Sequence, residues 1–271
     1  MQLLTPAPPR ERRNDHQSAG VCQMDGASAR ETARVRTVVC VGDSNVCGQV
    51  SVSFVDLLRQ RLSDDDFRFI NDGVNGDLAY NVLLRLDAVV ARQPDFVVIL
   101  VGSNDVNATL SPGIRLGYRL WKRLPQDPLM EWYHSNMIRI VRLLKEKTSA
   151  RMAITSPPVL GEDLASLPNE RIRAYCAILR EIATREDVAY LPVHERQEEY
   201  LHQVPHVAGR SHDANSRVMW TSLFRHYVLR RSFDAIAEEN GFVLTTEGLH
   251  LNGRGAAIVA DEVESFLRAG G

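Results

Sequence analysis

Apolar positions follow two alternating rhythms along this chain. Short apolar-rich runs at residues 38–41, 67–70, 96–101, 152–155 and 188–193 have the length and β-prone composition of strands. Between them, apolar residues return every three or four positions, as on one face of a helix. Phe54, Leu57, Leu58 and Leu62 do so over residues 51–62, and Val82, Leu83, Leu86 and Val89 over 78–90. Further helices are expected over 129–147, over the segment carrying Ile172, Tyr175, Leu179 and Ile182, over 217–239, and over 256–267. Ser166 or Asn169 can cap the helix that carries Ile172, and Gly241 can end the one over 217–239. The repeated order of strand, turn and helix is that of βαβ crossovers, hence of a parallel sheet covered on both faces.

Three stretches lack either rhythm. Residues 1–35 are rich in Pro, Arg, Ser, Gly and Ala and are expected to be a disordered extension. That leaves 36–271 as a single domain. Residues 107–128 contain Pro112, Gly113, Gly117, Pro125 and Pro128 and are expected to be irregular. Residues 194–215 are polar and poorly patterned. Insertions at about 106–128 and 194–217 are therefore expected on the folded core.

Composition narrows the choices. The formal net charge of −2 gives no reason to expect a nucleic-acid partner. No apolar run approaches the roughly 18 residues of a membrane span, and MQLLTPAPPRERR lacks the apolar core of a secretory signal. Cys22, Cys40, Cys47 and Cys176 are too few and scattered for a disulfide framework, so reduced thiols and a cytoplasmic setting are expected. His202, His206 and His212 suggest a metal site, but Pro205 interrupts their spacing and no compact ligand motif completes it. No metal and no cofactor are expected.

Candidate chemistry gathers at the ends of the first three strand runs. Gly42-Asp43-Ser44-Asn45 follows the first, a turn containing Asn75 and Gly76 follows the second, and Gly102-Ser103-Asn104-Asp105 follows the third. In a parallel sheet these ends share one edge. Near the chain's end, Glu247 precedes His250 by three residues. Acyl transfer at a serine needs a hydroxyl, a base, a group orienting the base, and donors facing the oxyanion. Ser44, His250 and Glu247 can supply the first three. The N–H groups of Ser44 and Gly76 and the side chain of Asn104 can supply the donors.

These blocks resemble the SGNH (GDSL-type) hydrolase family. Val41-Gly42-Asp43-Ser44-Asn45 corresponds to its first block, Asn71-Asp72-Gly73-Val74-Asn75-Gly76 to its second, Gly102-Ser103-Asn104-Asp105 to its third and Glu247-Gly248-Leu249-His250 to its last. The resemblance implies a flavodoxin-like three-layer α/β/α sandwich with a mostly parallel five-stranded sheet. It also implies hydrolysis of esters or thioesters, with Ser44 as nucleophile, His250 as base, and Ser44, Gly76 and Asn104 as the oxyanion hole. Two positions depart from the family pattern: Asn45 stands where leucine is usual, and Glu247 where aspartate is usual. The added methylene of Glu247 makes its orienting role the least secure, with Asp77 and Asp105 as rivals. The expected partner is a small-molecule ester. Tyr118, Trp121 and Tyr200 with Arg115, Arg119 and Arg210 suggest a short-chain or small polar one. The alternatives are a carbohydrate O-acetyl esterase, a thioesterase, a lysophospholipase, or a non-catalytic binding module on the same fold.

Overall fold

A computed structural model describes residues 34–204 and 217–269. The expected extension at 1–35 lies, up to residue 33, outside the described residues, as do Arg210, His206 and His212. In chain order the elements are β1 (Arg36–Gly42), α1 (Ser44–Cys47), α2 (Phe54–Arg61), β2 (Phe67–Gly73), α3 (Ala79–Leu84), α4 (Leu86–Ala91) and β3 (Phe96–Leu100). Then come α5 (Ser103–Thr109), α6 (Pro112–Trp121), α7 (Met130–Lys147), β4 (Arg151–Thr155), α8 (Leu167–Arg185) and β5 (Ala189–Leu191). The chain continues with α9 (Val193–Gln203), α10 (Arg217–Tyr227), α11 (Phe233–Asn240) and α12 (Gly253–Arg268). Among the described residues, no helix is long and apolar enough to cross a membrane.

The five strands form one parallel sheet in the order β2-β1-β3-β4-β5. Successive side chains on a strand point to opposite faces, and β1 shows the result. Val39 and Val41 pack with α3, α4, α7 and α8 on one face, while Val38 and Cys40 pack with α2 and α12 on the other. Both faces of the central strands are covered, which is why β1 and β3 read as continuous apolar runs rather than alternating ones. This is the expected three-layer α/β/α sandwich.

Four expectations about elements need correction. Residues 107–128 are not irregular: they hold the end of α5 and all of α6. Ser111 caps α6, its Oγ accepting from the N–H of Ile114 (3.2 Å), and Pro112 opens the helix. Proline fits the first helical turn because its missing N–H has no partner there anyway. The polar stretch from 194 is helical through Gln203. Its inward face includes buried polar residues, His194 and Gln197, and the Gln197 Oε1 accepts from the N–H of Val159 (2.9 Å). A search for apolar periodicity misses such a face.

The single helix expected over 78–90 is two, broken at Arg85, whose guanidinium is drawn to the sheet edge. The single helix expected over 217–239 is also two. The second begins where the Ser232 Oγ caps the N–H of Ala235 (3.1 Å).

Ile99 is fully buried at the centre of the sheet, while Val35 is exposed. Ile99→Ala is expected to lower the unfolding free energy by about 2–5 kcal/mol, and Val35→Ala by less than about 0.5 kcal/mol. Urea midpoints at constant slope measure both.

Candidate active site

The site is assembled from four turns. Gly42 at the end of β1 lies beside Gly73 of β2 and Leu100 of β3 in the parallel register, so the three strands release their turns at one edge. Arg85 binds these turns together. Its guanidinium donates to the carbonyls of Gly42 (2.9 Å) and Asp72 (2.8 Å), to the Asp72 carboxylate, and to Asp77 Oδ2 (2.9 Å). Asn71 adds a tie from β2 to α1, its Nδ2 donating to Val46 O (2.7 Å).

Ser44 is buried at the start of α1, directly after the cap Asp43, whose carboxylate accepts from the Asn45 N–H (2.9 Å). Its Oγ lies 3.1 Å from Nε2 of His250. The other ring nitrogen of His250, Nδ1, meets Oε1 of Glu247, which also accepts from the His250 backbone N–H (3.2 Å). The extra methylene of Glu247 is accommodated by the tight turn between them. Gly248 has φ +93°, Thr246 N–H donates to His250 O (2.7 Å), and Thr245 bridges Leu251. A side chain at position 248 would strain that backbone.

The rivals of Glu247 are engaged elsewhere. Asp77 pairs with Arg85 and with Lys122 Nζ (2.8 Å), and Asp105 accepts from Ala79 N–H (3.2 and 3.3 Å).

The three residues expected to supply the donors line one cavity. Gly76 has φ +73°, and the Trp121 ring packs where a β-carbon would stand, 2.1 Å from its ideal position. Any side chain at 76 would collide with that ring. Asn104 is oriented through both ends of its amide. Its Oδ1 accepts from the Tyr118 hydroxyl (2.7 Å), and its Nδ2 donates one hydrogen to Asp77 O (3.0 Å). The second amide hydrogen remains for a ligand.

Electrostatics in the site oppose one another. Burial is the largest influence on His250 and disfavours its charged form. The Glu247 charge and hydrogen bond, with the Asp43 charge, together outweigh burial and raise the imidazole above its ordinary value. Burial pushes the Asp43 carboxyl up to about 7, against the Asn45 N–H and the His250 charge, which favour the carboxylate.

Two residues that sequence reasoning passed over hold His250 in place. Asn45, which the sequence shows only as a departure from the family pattern, grips the backbone on either side of the histidine. Its Oδ1 accepts from Leu251 N–H (3.1 Å) and its Nδ2 donates to Leu249 O (3.4 Å). Glu162 is buried, and its carboxylate accepts from the N–H groups of Val243 (2.7 Å), Leu244 (2.7 Å) and Thr245 (3.0 Å) and from the Thr245 hydroxyl (3.1 Å). Neither contact has a local sequence signal, since each spans more than eighty residues.

The cavity holds about 650 Å³ and is walled by α6 and α10. Ile114, Tyr118 and Trp121 come from the first, and Val218, Met219 and Leu223 from the second. Of the residues that suggested a small polar ester, Tyr118 and Trp121 line it. Arg115 and Arg119 turn to Asp127 instead, and Tyr200 packs beside Leu201 and Arg254.

Residues 40–258 match the sequence profile of the GDSL-like Lipase/Acylhydrolase family. A comparison with curated proteins finds no significant match. Among solved structures, the fold is similar to that of an acetyl xylan esterase at 20% identity, over 85% of this chain and 99% of that one, with TM-score 0.59. It is also similar to an acetylxylan esterase from Geobacillus stearothermophilus (17% identity, 87% and 94% covered, TM-score 0.60). A third similar structure is an alpha/beta hydrolase enzyme from the metagenome of Lake Arreo, Spain (17%, 86% and 95%, TM-score 0.59). At these identities the likeness is one of fold.

Replacing Glu162 by glutamine removes the charge that three backbone N–H groups and a hydroxyl address. Glu162→Gln is expected to cost about 1.5–3 kcal/mol of stability and to lower turnover as the segment before His250 loosens. Urea unfolding and kcat on a soluble ester read the two effects.

Proposed function

The chain belongs to the GDSL-like lipase/acylhydrolase family, an assignment that makes it a serine-type hydrolase of carboxylic esters, and from that premise we propose that Ser44 is its nucleophile, His250 its general base and Glu247 the acid that orients the base. The observation that carries this is the unbroken line from Ser44 Oγ to His250 Nε2 at 3.1 Å and from His250 Nδ1 to Glu247.

In the proposed cycle Ser44 Oγ attacks the ester carbonyl while its proton passes to Nε2. The oxyanion forms facing the N–H groups of Ser44 and Gly76 and the spare amide hydrogen of Asn104, each such donor contributing about 3 kcal/mol in the transition state. Collapse expels the alcohol, which takes the proton back from His250. A water activated by the same nitrogen then releases the acid and restores Ser44. No step needs a metal or an organic cofactor.

The acyl group is placed against the aliphatic and aromatic wall of α6 and α10. This favours an apolar acyl chain over the small polar ester that the arginines suggested. A second reading, a carbohydrate O-acetyl esterase, is favoured by the exposed rings of Trp121 and Trp220 at the cavity mouth, since sugars stack on such rings. It also draws on the acetylxylan esterases among the similar folds.

A panel of p-nitrophenyl esters of increasing chain length, run beside acetylated xylo-oligosaccharides, separates the two. Burying one methylene is worth about 0.8 kcal/mol, or roughly fourfold. On the first reading kcat/KM climbs by up to that factor per carbon until the cavity is full. Highest activity on the acetylated sugar, with a decline beyond acetate, would establish the second.

A fluorophosphonate is expected to label Ser44 alone, and Ser44→Ala to take no label. Labelling of that variant at the wild-type rate would remove the assignment.

The pH profile tests Glu247. His250 must be neutral to accept a proton, and its pKa is raised, so the acid limb of kcat/KM should lie above the ordinary histidine value of about 6.5. Glu247→Gln removes the charge that raises it. The plateau should fall by roughly 10- to 1,000-fold and the acid limb should move to lower pH. A plateau within about twofold of wild type would release Glu247 from the role.

A further inference from the structure

The cavity rim carries a property that ester hydrolysis does not require. Large apolar side chains left exposed among the described residues concentrate in the two segments that wall the cavity. On α6, Leu120 is 70% and Trp121 63% exposed, with Leu116 beside them. On α10, Trp220 is 63% exposed and Phe224 is also open to solvent, and the apolar surface continues through Tyr227, Val228 and Leu229. Trp121 and Trp220 both line the mouth over Ser44, so the two apolar ridges flank one opening.

Along the two segments that carry these ridges, the sequence charge has a single sign. Residues 112–126 contain Arg115, Arg119, Lys122 and Arg123 and no acid, and residues 217–231 contain Arg217, Arg225, Arg230 and Arg231 and no acid. The chain as a whole carries a formal charge of −2, so this cationic rim is a local departure. Some of these cations have partners: Lys122 holds Asp77, Arg115 and Arg119 reach Asp127, and Arg225 and Arg231 reach Glu239. Arg123, Arg217 and Arg230 are exposed and form no ion pair among the described residues.

Helices that expose Trp, Phe and Leu flanked by Arg or Lys are suited to the interface of an anionic bilayer. A second copy of this chain suits the rim less well, because a two-fold contact sets the same patch against itself and would bring arginine against arginine.

We infer that α6 and α10, with the turn that follows α10, form a docking rim for an anionic phospholipid surface. The apolar ridges enter the interface, the arginines meet lipid phosphates, and the mouth over Ser44 faces the membrane. An ester partitioned in the bilayer then reaches the cavity without crossing water. The inference concerns binding and is independent of which ester is cleaved.

The test is co-sedimentation of the full chain with vesicles of ether-linked phosphatidylcholine and phosphatidylglycerol, whose chains carry no ester to hydrolyse. The wild-type chain should bind the mixed vesicles, bind pure phosphatidylcholine at least about tenfold more weakly, and release as salt is raised. L120D/F224D should lose at least about tenfold in partitioning, and R123E/R230E a comparable amount. Neither pair lies among the cavity-lining residues, so turnover of soluble p-nitrophenyl acetate should stay within about twofold in both.

Several results would overturn the inference. They are no binding to the mixed vesicles, equal binding to neutral ones, unaltered binding by the variants, or a dimer in solution that L120D/F224D dissociates while vesicles capture nothing. The ester assay reports on Ser44 separately, so failure of docking and failure of the hydrolytic assignment give different results.

Discussion

The parallel register of β1 against β2 and β3 is the constraint on which the rest of the site depends. Gly42 stands beside Gly73 and Leu100, so the turns carrying Ser44, Gly76 and Asn104 leave the sheet at one edge. Parallel strands end together only because each return is made by a helix on the sheet face. The buried apolar faces of α2, α3, α7 and α12 therefore position the three proposed oxyanion donors as well as stabilise the fold. Arg85 adds the electrostatic part. One guanidinium satisfies the carbonyls of Gly42 and Asp72 and two carboxylates, and the helical run of 79–91 is interrupted where it does so.

His250 is held differently, because it sits on no strand of the sheet. Its segment is fastened from two sides by buried polar groups, Asn45 from the turn that carries Ser44 and Glu162 from the loop after β4. A buried carboxylate is costly unless it is fully hydrogen-bonded, and Glu162 meets that condition with four donors. The result is a histidine ring, the proposed base, that contacts both Glu247 and Ser44 without rearrangement, as preorganised catalysis requires. Asp43 adds a second negative group near the imidazole, held partly in check by its own burial.

The walls of the cavity come from elements outside this framework. The helices α6 and α10 contribute nothing to the sheet, yet they supply the apolar wall of the cavity and the cationic, aromatic rim around it. Trp121 belongs to both systems: its ring packs on Gly76 and lines the mouth. On the proposed reading, substrate preference varies with these two helices while the proposed hydrolytic centre stays unchanged.

The apolar runs and three-to-four periodicities in the sequence were enough to determine a parallel sheet covered on both faces, because burial on two sides demands continuous apolar strands. The four short blocks were enough to bring Ser44, Gly76, Asn104, Glu247 and His250 into consideration, because their residue types suit one chemistry and their order matches one family. Element breaks at Arg85 and Ser232 were not legible, since apolar periodicity continues across both. The helix at 112–121 was misread because Ser111-Pro112, a helix start, looks like a breaker when read alone. What only the tertiary structure decided were the contacts with no local pattern. These are Asn45 gripping both sides of His250, Glu162 receiving the strand-like segment before Glu247, Asp77 and Asp105 being drawn to other partners, and the arginines of α6 turning away from the cavity. Each depends on which groups meet across long stretches of chain, and a buried polar side chain finds its partner through the fold's geometry rather than through the spacing of its neighbours.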